Sequence, residues 1–158
     1  MDEFLSCMKM SDAAVAELLD YFTNLYETTG RKVVVALAGD HAPSFVDHVA
    51  DKSLAPQNEL QILERSTPFF IWANYPLENI DAAVSDTDSL NRMDMVMLAP
   101  TIAQQAGLPL STFYQYLLEM KDVTPVVTGA NDYMKPDGST AEFGVDETLD
   151  AWVHGYLN

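Results

Sequence analysis

The chain has 158 residues, with 24 Asp and Glu against 8 Lys and Arg, and a formal net charge of -16. That length fits one domain able to bury roughly two-thirds of its unfolded surface, and 48% hydrophobic content excludes a disordered chain. The acidity excludes nucleic acid as a default partner and speaks against docking on anionic lipid, because both need clustered Lys and Arg.

Cys7 is the single cysteine, which excludes an internal disulfide and a thiolate metal cluster. Met1-Asp2-Glu3 is acidic where a signal peptide is basic. The longest apolar runs, Val33 to Ala38 and Phe69 to Ala73, fall far short of the ~20 residues of a membrane helix. No targeting signal is expected.

The first expected element is a helix. Ser11 is placed to cap it, and Val15, Leu18, Leu19, Phe22, Leu25 and Tyr26 recur at helical spacing before Gly30 closes it. Val33 to Ala38 is then apolar without alternation, the pattern of a strand covered on both faces, which usually pairs in parallel. Pro68 to Ala73 repeats that pattern. Residues 45–65 are ambiguous, with a short helix expected near 59–64, and residues 76–91 read as an acidic surface loop.

Further on, Pro100 fits the first turn of a helix over 101–106, with Gly107 as its stop. Ser111 or Thr112 caps another helix with Phe113, Tyr116, Leu117 and Met120 on its apolar side. Residues 125–128 are a candidate short strand, and Lys135-Pro136-Asp137-Gly138 has the chemistry of a turn. A last helix, about 146–157, presents Leu149, Trp152, Val153 and Tyr156 to a core. The fold class is α/β. Two or three interior-type strands are too few for a complete parallel sheet, which usually holds about five or six. The whole chain, 1–158, is therefore expected to be one domain that is a fragment of a larger one.

Chemistry concentrates at Gly39-Asp40-His41, directly after the first strand. Sites in open α/β sheets gather at the carboxyl ends of parallel strands. Glycine permits a sharp turn or a close approach. Asp40 and His41 offer an oxygen and an imidazole nitrogen, a pair that suits divalent manganese or zinc. The plainer alternative is a capping Asp beside a surface His. Asp47 and His48 repeat the pair but are better read as solvated, and His154 as packed or exposed in the last helix. Met93, Met95 and Met97 read as core filling. Asp81, Asp86, Asp88 and Asp94 lack the spacing and central glycine of a calcium loop.

Four segments in order carry a resemblance: Ser11-Asp12-Ala13-Ala14, the strand ending Gly39-Asp40-His41-Ala42-Pro43, Thr67 to Asn74, and Ala99-Pro100-Thr101-Ile102 through Leu108-Pro109. Together, over residues 11–127, they resemble the lipoteichoic acid synthase-like phosphoglycerol transferases of the alkaline phosphatase/sulfatase superfamily. The resemblance implies the C-terminal portion of an α/β/α sandwich with a mostly parallel sheet. Asp40 and His41 carry over as two ligands of a divalent metal, manganese first, with magnesium, zinc or calcium as alternatives.

It assigns no catalytic or substrate-binding residue here, because the family's Thr nucleophile and its other ligands lie upstream of the matched region. The implied partners are the rest of the catalytic domain and a phospholipid head group or a phosphate or sulfate ester. Self-association of the fragment is a further expectation. The implied parent is a bacterial cell-membrane protein with an extracellular catalytic domain, and this chain alone is expected to be inactive. The rival reading is a non-enzymatic acidic α/β interaction module that has lost the site.

Overall fold

The computed structural model describes residues 2–41, 65–77, 92–127 and 132–157, and it is mixed α/β. The helix expected near 59–64, the loop beyond Leu77, and Asp47, His48, Asp81, Asp86 and Asp88 lie outside the described residues, as does the side chain of Tyr156. The chain divides into two compact units, residues 1–37 with 70–78, and residues 38–69 with 79–158.

In the first unit, α1 (Asp2–Thr29) runs nine residues further toward the N-terminus than its expected start, and Ser11 lies inside it. A cap residue only offers a start. Leu5, Met8 and Met10 are good helix formers, and a serine inside a helix costs only tenths of a kcal/mol, ~0.5 against alanine. At the other end Gly30 takes φ 70° and its amide donates to the Tyr26 carbonyl at 2.8 Å, the left-handed stop that glycine alone adopts without strain. Val15, Leu19, Phe22, Leu25 and Tyr26 are half-buried along one stripe, as their spacing predicts, whereas Leu18 of the same expected set is exposed.

Asn74 ties this helix to the first strand. Its Nδ2 donates to the carbonyls of Phe22 (2.7 Å) and Arg31 (3.1 Å), and its Oδ1 accepts the Val33 amide at 2.8 Å. Lys32 lies over the Tyr75 ring, 4.8 Å from its centroid.

Strands β1 (Val34–Ala38) and β2 (Phe69–Ala73) form a two-stranded ladder. The Gly39 amide donates to the Pro68 carbonyl at 3.0 Å and the Asn74 amide to the Val33 carbonyl at 3.1 Å, so the strands run antiparallel. The expected parallel pairing is thereby corrected. An unbroken apolar run encodes coverage of both faces, but nothing in it encodes direction. Both strands are half-buried rather than interior, and Leu37 is exposed.

The second unit holds the buried core. After a 3-10 turn at Met95–Met97, α2 (Leu98–Gln105) starts three residues before its expected position, with Pro100 still in the first turn, where an amide has no helical partner to lose. Gly107 (φ 68°) ends it, and the Leu108 amide returns to the Ala103 carbonyl at 2.9 Å. Ser111 caps α3 (Thr112–Val123) by accepting the Tyr114 amide at 3.1 Å. Leu117, Leu118 and Met120 are buried, while Phe113 is exposed.

Strands β3 (Val126–Val127), β4 (Asp132–Met134) and β5 (Thr140–Glu142) make an antiparallel sheet in the order β3-β4-β5. The 135–138 turn joins β4 to β5, with Gly138 at φ 82°. Asp146 caps α4 (Glu147–Leu157), its Oδ1 accepting the amides of Thr148 and Leu149. Met97, Met120 and Val153 form the centre of the core, with Met93, Tyr116, Val127, Phe143 and Trp152 packed around it. Of the methionine series Met97 is core and Met93 lines it, whereas Met95 is exposed.

Candidate functional site

Asp40 and His41 follow β1 after Gly39, at the carboxyl end of a half-buried strand paired antiparallel, so the expected setting at the end of a buried parallel strand is corrected. Both are open to solvent, their side chains 88% and 79% exposed. The His41 amide donates to Asp40 Oδ1 at 2.9 Å, which orients the carboxylate, and His41 Nε2 lies 3.4 Å from Asp40 Oδ2. One oxygen and one nitrogen are therefore presented together.

Two ligands at about 2.0–2.1 Å from a tetrahedral ion stand about 3.4 Å apart, and about 3.0 Å apart at octahedral angles. The observed separation is close to the first. No group of three or more His, Cys, Asp or Glu placed to hold a metal occurs among the described residues.

The position of the pair is fixed by a detail that the sequence did not disclose. Gly39 does not take a left-handed backbone; its role is close approach. A Cβ there would stand 2.9 Å from Thr67 Cβ, well inside contact distance. Thr67 Oγ1 donates to the Gly39 carbonyl at 2.8 Å, beside the Gly39 to Pro68 backbone bond. The residue before the pair is thus pinned on both its polar groups. The signal was a threonine just before the second apolar run, which one sequence cannot assign to a partner 28 residues away.

Other candidates hold structural places. His154 is exposed on α4. Asp94 is half-buried, its amide donating to the Pro125 carbonyl at 2.7 Å and its Oδ2 accepting from Val127 at 3.3 Å. Burial raises its carboxyl above the ordinary range, against the opposing pull of hydrogen bonds from the Val127 and Met95 amides. Burial also raises the phenols of Tyr116 and Tyr133.

Comparison with known proteins adds no relative: no family model, curated protein or solved structure matches the chain.

Proposed function

We propose that this chain is the C-terminal segment of a metal-dependent phosphoglycerol transferase or sulfatase-like catalytic domain, to which Asp40 and His41 contribute two ligands of a divalent ion. The observation that carries the reading is the exposed oxygen–nitrogen pair 3.4 Å apart at the end of β1. An antiparallel pair is compatible with a mostly parallel sandwich, since large parallel sheets commonly carry an antiparallel edge strand.

In this reading the remaining ligands, the nucleophile and the rest of the sheet are supplied from outside the chain, and the parent is anchored at a bacterial membrane with its catalytic domain outside. The substrate class is a phospholipid head group such as phosphatidylglycerol, or a related phosphate or sulfate ester. A divalent ion, manganese first, supplies Lewis-acid stabilisation of charge on the group transferred. This chain's residues do the holding. Asp40 is ionised and His41 neutral when both offer lone pairs, and Thr67 and Pro68 fix the backbone from which they project.

The rival, a binding module without a working site, draws on the absence of a three-ligand group among the described residues. Calorimetric titration of the chain with manganese separates the two. A metal-holding segment should show weak one-site binding, reduced about tenfold or more by His41→Ala, since losing even an outer-shell partner costs that much. It should also show no turnover of a model phosphodiester. Binding that is equal in wild type and His41→Ala, or no one-site component at all, favours the module.

A further inference from the structure

The second unit carries a cleft of about 400 Å³, walled by Phe69, Met93, Pro125 and Pro136, with Arg92, Lys121 and Asp122 as its charged lining. We propose that this cleft binds a small organic phosphomonoester, the phosphate held by Arg92 and Lys121 and the carbon substituent set against Met93 and the two prolines. Such binding needs no metal and is independent of the role given to Asp40 and His41.

Charge distribution singles out the cleft. A chain with 24 acidic and 8 basic residues repels anions over most of its surface. Two of those eight cations line one concavity. Both are half-buried, so low-dielectric walls strengthen their field there. Lys121 stands in the last turn of α3 and also offsets the negative end of that helix. Arg92 precedes the 3-10 turn and has no such duty. Its planar fork matches two phosphate oxygens, while the lysine ammonium acts as a point charge.

Size and lining set the ligand class. Small-molecule sites span roughly 300–1,000 Å³, and this cleft falls at the lower end, more than a bare oxyanion fills. Its apolar walls give a carbon substituent somewhere to bury. The proline rings are fixed in φ, so the walls are formed before a ligand arrives. Asp122 is exposed and disfavours a ligand with a second anionic group, which points to a monoester rather than a diphosphate.

The test is amide-shift NMR on the whole chain with phenyl phosphate, phenol and inorganic phosphate as separate probes, in low salt with EDTA to exclude any metal contribution. Phenyl phosphate should bind saturably and shift the amides of Arg92, Met93, Lys121 and Asp122. Arg92→Gln and Lys121→Gln should each weaken it about tenfold, the size of a lost charge-assisted hydrogen bond. Circular dichroism confirms folding, and if one variant fails to fold the other decides. Phenol and inorganic phosphate should each bind at least about tenfold more weakly, since each lacks half of the contacts. Absent saturation, shifts confined to other residues, equal affinity for inorganic phosphate, or full affinity in the folded variants would each overturn the proposal.

Discussion

Asp94 is a residue whose environment works against its charge. Burial raises its carboxyl above the usual value of 3.8 although two backbone amides point at it. The folded state therefore binds the proton more tightly than the unfolded chain. Stability from this group is full below pH 3.8 and is lost as pH rises through the higher folded value. Asp94→Asn keeps an acceptor for the Val127 amide and removes the buried charge. Its melting temperature should exceed wild type at pH 7, and the advantage should shrink toward pH 4. Asp94→Ala orphans the amide instead and should be about 1–3 kcal/mol less stable than Asp94→Asn at both pH values. A pH-independent difference between Asp94→Asn and wild type would show that burial is not acting on the carboxyl. The sequence showed Asp94 only as one of several acidic residues and not its burial, because that depends on residues 31 and 33 positions further along, Pro125 and Val127.

Between elements, contacts depend on side chains that meet across long separations. Tyr116 of α3 packs against Trp152 of α4, ring centroids 5.2 Å apart and planes tilted by 36°, and its hydroxyl donates to the Trp152 carbonyl. A Cβ on Gly155 would stand 2.5 Å from that hydroxyl oxygen. Gly155→Ala gains about 1 kcal/mol of helix propensity but must displace a packed ring, costing about 1–3 kcal/mol. Net destabilisation is expected, and it should shrink in the Tyr116→Phe background, where the clashing atom is gone; equal losses in both backgrounds would contradict the contact. In the first unit, Asn74→Ala removes three side-chain hydrogen bonds and strands the Val33 amide, an expected loss of about 1–3 kcal/mol in denaturant titration. A loss under about 0.5 kcal/mol, roughly the scatter of an ordinary surface change, would show that the clamp is not holding the unit together. Local chemistry was legible: the Ser111 cap, the Gly30 and Gly107 stops and the 135–138 turn each depend on neighbours in sequence. Strand direction was not, since an apolar run carries no polarity. Strands β4 and β5 were missed because each is three residues long, too short for alternation to register.

For the molecule as a whole, the sequence foretold the α/β class and placed the Asp40–His41 pair after a strand, while any further ligands that the proposed site requires lay beyond its reach. Two adjacent residues are visible in one chain. Ligands brought from elsewhere are not. The -16 charge complicates any metal experiment, because scattered carboxylates attract divalent cations without a site. His41→Ala avoids that difficulty, since it leaves every carboxylate in place. The decisive measurement is paramagnetic broadening of backbone amides by substoichiometric manganese, compared between wild type and His41→Ala. Selective broadening centred on Gly39, Asp40 and His41 is expected in the wild type, lost in the variant while diffuse effects elsewhere persist. Broadening that is uniform over the acidic surface, or that remains at residues 39–41 in the variant, would contradict it.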